Sequence, residues 1–172
     1  MMRKERLVVI GNGMAGARFV EELTRRGGTR RFEITIFGDE PHGNYNRILL
    51  SGVLAGNHAA KDILINPLSW YEANGVKLHA GIRAESIDLA AKQVIGINGI
   101  VEPYDKLLIA TGSRPLVPPL DGLTTDTGGF KPGVFLFRTL DDCDRILAYA
   151  RGARRAAVIG GGLLGLEAAR GF

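Results

Sequence analysis

An α/β fold with a parallel sheet is predicted by three observations. Twice an apolar strand-like run passes through a glycine-rich turn into a helix-forming run, at Val8-Val9-Ile10-Gly11-Asn12-Gly13-Met14-Ala15-Gly16 and at Val158-Ile159-Gly160-Gly161-Gly162-Leu163-Leu164-Gly165. The runs Leu7–Ile10 and Leu107–Ala110 are short and apolar throughout, as parallel strands covered on both faces are. Between Val76 and Tyr104 the pattern changes to short strands set off by tight-turn residues, which marks a small antiparallel meander.

The elements follow in order. Leu7–Ile10 is the first strand, and Met14–Arg26 is a helix with Ala15, Phe19, Val20 and Leu23 at helical spacing. Gly27-Gly28 ends that helix, and Phe32–Phe37 forms the second strand of a βαβ unit. Gly38-Asp39-Glu40-Pro41 is a turn. Asn44–Ala55 reads as a loop entering a short helix, and Pro67–Asn74 as another helix. The meander is expected at Val76–His79, Ile82–Ile87, Gln93–Ile97 and Ile100–Tyr104, with Asn98-Gly99 supplying the positive φ of a hairpin turn. Lys106–Ala110 returns to a buried parallel strand, which Thr111-Gly112-Ser113-Arg114-Pro115 breaks sharply. Proline and glycine are frequent from Pro115 to Pro132, as in a linker. A strand at Val134–Phe137 and a helix at Leu140–Ala150 follow, the latter with Asp141, Asp142 and Asp144 suited to its first turn. The second glycine turn comes next. Its helix is the last element, so the sequence is expected to be the N-terminal part of a longer protein. The expected division is a first domain over 1–118, and a linker with the beginning of a second over 119–172.

Composition bounds the chemistry. Of 172 residues, 45% are hydrophobic and 23% charged, with no apolar run long enough to span a bilayer. Leu7–Ile10 is too short for a signal-peptide core, so the expected compartment is the cytoplasm. The net charge of +4 is modest. Arg25-Arg26, Arg30-Arg31 and Arg154-Arg155 lie at or beyond expected helix ends, where cations complement the dipole. With few aromatics interleaved they read as surface, not as a nucleic-acid track. A single cysteine, Cys143, excludes a disulfide framework, a redox-active cysteine pair and a cysteine-only metal site within the chain. His42, His58 and His79 show no metal-ligand spacing.

Each glycine turn has the form G-x-G-x-x-G between a strand and a helix, which places a pyrophosphate on a helix N-terminus. Gly11 permits the tight turn, Gly13 lets the phosphates approach the backbone with Met14 and Ala15 opening the helix, and Gly16 allows close helix–sheet packing. Gly160, Gly162 and Gly165 repeat those parts. An acidic residue a little over 20 positions after the last glycine bonds the adenosine ribose, and Glu40 is preferred there over Asp39. Two such turns point to two nucleotides, and so to electron transfer between a flavin and a nicotinamide.

The first G-x-G-x-x-G, the meander, Ala110-Thr111-Gly112-Ser113-Arg114-Pro115 and the second glycine turn together resemble the FAD-dependent pyridine nucleotide-disulphide oxidoreductase superfamily. The resemblance covers essentially the whole chain. It implies a three-layer, Rossmann-like FAD/NAD(P)-binding fold with a small antiparallel meander, truncated at the start of a second nucleotide-binding domain. It implies FAD on Gly11, Gly13 and Gly16, its adenine against Ala84 and its flavin lined by Ala110, Thr111 and Gly112. Arg47 would meet the flavin phosphate or the dimethylbenzene side. NAD(P)H would lie on Gly160, Gly162 and Gly165, with Glu167 where the family often has a glutamate near the hydride path.

One departure narrows the resemblance. Classical members carry C-x-x-x-x-C soon after the ribose-binding acid, whereas Asn44-Tyr45-Asn46-Arg47-Ile48-Leu49-Leu50-Ser51 has no cysteine. This form resembles the branch that passes electrons to iron–sulphur or haem partners, including ferredoxin and rubredoxin reductases. Pro41–Ser51 with Val53-Leu54-Ala55-Gly56 is most similar to the N-terminal part of assimilatory NAD(P)H nitrite reductase large subunits, whose acceptor would be an iron–sulphur or siroheme module. Two other readings compete: a fragment that binds FAD without turnover, and a dehydrogenase using NAD on the first turn alone. The second turn and the Ala110–Pro115 element speak against the latter, which needs neither.

Overall fold

The computed structural model describes residues 3–172. Its strands are β1 (Glu5–Ile10), β2 (Phe32–Gly38), β3 (Asn44–Tyr45), β4 (Leu64–Asn66), β5 (Val76–Ala80), β6 (Ala84–Asp88), β7 (Gln93–Gly96), β8 (Val101–Pro103) and β9 (Lys106–Ile109). Its helices are α1 (Met14–Arg25), α2 (Leu50–Leu54), α3 (Leu68–Ala73), α4 (Leu140–Ala150) and α5 (Leu163–Gly171). The chain divides into two compact units, one made of the residues through Tyr45 with Leu64–Ser113, the other of Asn46–Ile63 with Arg114–Phe172.

The first unit is built on a parallel sheet in the order β5-β2-β1-β9. The alternation of side chains along β1 and β2 decides what covers each face. Leu7, Val9, Ile34 and Ile36 point to one side, where they form a core with Val20 of α1 and Tyr71 of α3. Val8, Ile10 and Phe37 point to the other, where Val94 of the meander and Tyr104 cover them. Burying each such side chain contributes about 1.5–3 kcal/mol. Both faces are apolar because both are covered, which is why the strands lack polar alternation. Helices, sheet and meander make three layers, as expected.

The meander itself has three strands, β6-β7-β8, all antiparallel. The expected fourth, at Val76, is instead the edge of the parallel sheet, with Ile36 opposite Leu78 and Phe37 opposite His79. Its apolar residues look the same in either sheet; Val76 is claimed by the core under α1 and α3. The hairpin at Asn98-Gly99 forms as expected. Gly99 has φ 79°, the Gly96 N–H donates to the Ile100 carbonyl at 2.8 Å, and Asn98 Oδ1 accepts from the Ile100 N–H at 3.1 Å. Glu102 of β8 clasps β5, accepting from Lys77 Nζ at 2.6 Å and bonding His79 Nε2 at 2.7 Å. Burial pushes the Glu102 carboxyl up, but the bonds from Lys77 and His79 outweigh it and hold the group below its ordinary value.

In the second unit α2 packs against α4 and α5. Leu54, Ile146 and Ala168 form its core, with Phe135 and Phe137 packed on it. Thr139 and Asp142 make a capping box at the start of α4, whose acidic first-turn residues are Asp141 and Asp142 but not Asp144. Two expected strands are absent. Val134–Phe137 and Ala156–Ile159 carry no strand pairing. Both are strand-like by composition, yet among the described residues no neighbouring strand offers either of them a ladder. Phe135 and Phe137 satisfy their hydrophobicity against helices instead, while Ile159 stays 70% exposed. Strands are made by pairing, so an apolar run alone does not form one. A two-stranded pair, β3 with β4, joins Asn44 to Asn66 and was not foreseen because it is so short.

The basic pair at the end of α1 is exposed and locally neutralised: Glu22 takes Arg25 at 2.6 Å and Arg26 at 2.8 Å. Those bonds hold the Glu22 carboxyl down at about 2. No helix among the described residues is long and apolar enough to cross a membrane.

Glu102 supports two pH-dependent expectations. Because its folded value is depressed, its contribution is present above the ordinary carboxylate range and is lost as pH falls through the lower folded value. Glu102→Gln should therefore cost about 1 kcal/mol at neutral pH, discounted for the exposed Lys77 end. Urea unfolding of the two proteins as a function of pH should show the gap closing below the carboxylate range. A gap that persists at pH 2 would mean packing, not charge, holds the clasp.

Candidate functional site

The carboxyl ends of β1, β2 and β9 bring the first set of expected residues together. Gly11 leaves β1 with φ 109°, and its N–H donates to the Phe37 carbonyl at 2.8 Å. A Cβ on Gly11 would strike the Ala110 carbonyl, and one on Gly16 would strike the Gly11 carbonyl oxygen. Both are backbone atoms with no room to yield. This is the close approach of α1 to the sheet that the G-x-G-x-x-G spacing predicts.

Gly13 is different. It caps α1 with φ −73° and ψ −174°, a conformation open to any residue, and a Cβ there would meet nothing within 4 Å. Gly13 brings no side chain to the cap and no acidic residue stands in the first turn. The first-turn N–H groups of Met14, Ala15 and Gly16 have no intrahelical acceptor, and the helix dipole makes that end positive. An open, positive helix end whose cap residue carries no side chain fits a pyrophosphate.

Of the remaining first-unit candidates, Asp39 and Glu40 follow β2 and Ala110, Thr111 and Gly112 follow β9, whereas Ala84 lies in the meander. Asp39 is exposed and Glu40 half-buried, just beyond β2. Glu40 Oε2 accepts from the Tyr45 hydroxyl at 2.5 Å, and its carbonyl accepts from the Gly81 N–H at 3.0 Å. Ala84 begins β6, opposite Gly96. Ala110 is anchored by its N–H to the Ile10 carbonyl at 2.8 Å; Thr111 and Gly112 beyond it are exposed, Gly112 with φ 70°. In open parallel sheets ligands bind in the crevice at the strands' carboxyl ends, and these loops line it.

Sequence reading missed a buried network behind the turn. The Tyr71 hydroxyl donates to Asn12 Oδ1 at 2.8 Å, the Asn44 N–H donates to that hydroxyl at 3.2 Å, and Asn44 Nδ2 donates to the Asn12 carbonyl at 3.1 Å. An asparagine between the two glycines was the one local clue. Its partners stand 32 and 59 positions away, which no local pattern reveals.

The second turn, in the other unit, repeats the first. Gly160 has φ 135°, Gly162 caps α5 with φ −76° and ψ 174°, and a Cβ on Gly165 would strike the Gly160 carbonyl. A Cβ on Gly162 would again meet nothing within 4 Å. The difference is at the strand end: a Cβ on Gly11 would strike Ala110, whereas one on Gly160 would meet nothing within 4 Å. Glu167 is half-buried on α5. Arg47, in the same unit, donates from Nη1 to the Arg138 carbonyl at 2.5 Å. Cys143 is fully buried on α4, and burial first, then Asp142 and Asp144, push its thiol up to about 11. A thiol so placed is inert.

Comparison with known proteins agrees with this geometry. Residues 5–172 match the family model described as pyridine nucleotide-disulphide oxidoreductase. The nitrite reductase [NAD(P)H] of Bacillus subtilis is 48% identical over 171 residues, covering 99% of this chain and 20% of that protein. The NADH nitrite reductase large subunit of Escherichia coli is 41% identical over 98% of this chain and 19% of its own length. This chain thus spans about a fifth of the curated relatives it matches. Among solved structures, the reductase of the covalent putidaredoxin reductase–putidaredoxin complex is 31% identical, with a TM-score of 0.84 over 99% of this chain and 40% of that one. Two glycine turns of one geometry, a three-layer parallel α/β unit and the match over 5–172 lead to one conclusion: the chain belongs to the pyridine nucleotide-disulphide oxidoreductase family.

Proposed function

We propose that this chain is the flavin-binding, NAD(P)H-accepting part of an oxidoreductase of the nitrite reductase large-subunit type, with cytoplasmic location. The reading is carried by one observation: two turns of the same backbone geometry, each side-chain-free at its helix cap, in a chain whose only cysteine is buried. The 48% identity to the Bacillus subtilis nitrite reductase supports the branch. Residues 1–118 form the FAD-binding part, and 119–172 the linker and the start of the NAD(P)-binding part.

The turn at Gly11, Gly13 and Gly16 holds the FAD pyrophosphate through the N–H groups at the start of α1, where Met14 and Ala15 sit. Glu40, steadied by Tyr45, takes the adenosine ribose, with exposed Asp39 beside it. Ala84 meets the adenine through its backbone, and Ala110, Thr111 and Gly112 line the flavin. Gly160, Gly162 and Gly165 receive NAD(P)H, and Glu167 stands near the hydride path. Arg47 meets flavin phosphate or the dimethylbenzene side. FAD so held supplies a two-electron acceptor for hydride and a one-electron donor to a metal centre. No side chain is asked to act as general acid or base; the protein's part is orientation. With no cysteine pair at 44–51, electrons leave for an iron–sulphur or siroheme acceptor instead of a dithiol.

FAD titration followed by flavin fluorescence tests the site. Gly13→Val should lower the melting temperature by only about a few degrees, the cost of a poorer cap at a position with ordinary φ and an open Cβ direction, yet weaken FAD about a hundredfold or more. Gly16→Ala should behave oppositely, losing about 2 kcal/mol or more of stability because its Cβ strikes a carbonyl oxygen. Glu40→Gln should cost about tenfold in FAD affinity. Unchanged FAD affinity in Gly13→Val would remove the first turn from the reading.

A further inference from the structure

We propose that Tyr71 and Asn44 are positioning residues for the first turn, acting through Asn12 to keep its pyrophosphate-facing N–H groups free and aimed; this rests on the reading of that turn as the FAD site. Asn12 lies between Gly11 and Gly13, immediately before the α1 cap. An asparagine in such a place has a strong local alternative. Its side-chain oxygen bonds the backbone N–H two residues on, here that of Met14, and closes an Asx turn. That bond would occupy one of the donors a pyrophosphate needs.

Tyr71 prevents it. Its hydroxyl donates to Asn12 Oδ1 at 2.8 Å, engaging that oxygen on the side of α3, and Gly13 at the cap brings no side chain of its own. The hydroxyl is itself held by the Asn44 N–H at 3.2 Å, and Tyr71 is 1% exposed, so water does not compete for the contact. Asn44 acts on the backbone. Its Nδ2 donates to the Asn12 carbonyl at 3.1 Å. In a trans peptide the carbonyl and the following N–H point opposite ways, and no peptide bond among the described residues is cis. Holding the Asn12 carbonyl toward Asn44 therefore turns the Gly13 N–H away from it. Asn44 is buried, which keeps this bond dry as well. One residue's two acceptors are thus tied back by two partners, and the donors beside it stay available.

A tether of this kind predicts a rescue that general loosening does not. In the present chain, FAD and ADP carry the pyrophosphate and adenosine does not. Tyr71→Phe releases Asn12 Oδ1 and should weaken FAD and ADP about tenfold while leaving adenosine, followed by NMR at millimolar concentration, unmoved. Adding Asn12→Ala to Tyr71→Phe removes the freed oxygen and should restore most of the affinity that Tyr71→Phe loses. Asn44→Ala should weaken ADP but not adenosine, and serves where Tyr71→Phe folds poorly. Equal losses for ADP and adenosine, or a double variant weaker than Tyr71→Phe, would overturn the proposal. Gly13→Val separates the levels. If it abolishes FAD binding while Tyr71→Phe and Asn44→Ala do nothing, the site stands and the tether falls. If it leaves FAD binding intact, or the unsubstituted chain binds neither FAD nor ADP, both fall.

Discussion

Everything at the first site depends on how closely α1 approaches β1 and β9. Gly16 sits against the Gly11 carbonyl and Gly11 against the Ala110 carbonyl, so three stretches of main chain meet with no side chain between them. That contact fixes where the helix starts, and with it the direction of the helix dipole. It also places the loop after β9 beside the turn. Without it, Ala110–Gly112 and Gly13 would belong to separate neighbourhoods.

The layers serve that contact. α1 and α3 cover one face of the sheet and the meander the other, leaving the ends of the strands as the place where loops gather. Tyr71 works in both roles at once. Its ring fills the core beneath the sheet with Val9, Ile34 and Ile36, and its hydroxyl reaches the glycine turn. Core packing and the shape of the turn are thereby coupled through one side chain. Glu40 is handled in a similar manner by Tyr45, a buried ring whose hydroxyl ends at the carboxylate.

The repeated turn separates local from non-local causes. Gly160, Gly162 and Gly165 adopt the same geometry as Gly11, Gly13 and Gly16, although the run before them pairs with no strand. The turn and its helix are therefore local products of glycine spacing and helix propensity. The strand is not. Val8–Ile10 forms one because β2 and β9 lie on either side; Val158-Ile159 has no such neighbours among the described residues and stays unpaired and exposed.

The division between sequence and structure follows the range of the forces. Sequence alone determined the parallel α/β class, the two glycine turns, the hairpin at Asn98-Gly99, the acidic pair after β2 and the missing dithiol, since each is built from signals that are local in the chain. Only the tertiary structure decided that Val76 joins the main sheet, that Val134–Phe137 packs on helices instead of pairing, and that Asn12 is tied to Tyr71 and Asn44. Those outcomes come from contacts between residues far apart in the chain. An apolar run records only that it will be buried, and the chain's other elements decide against what.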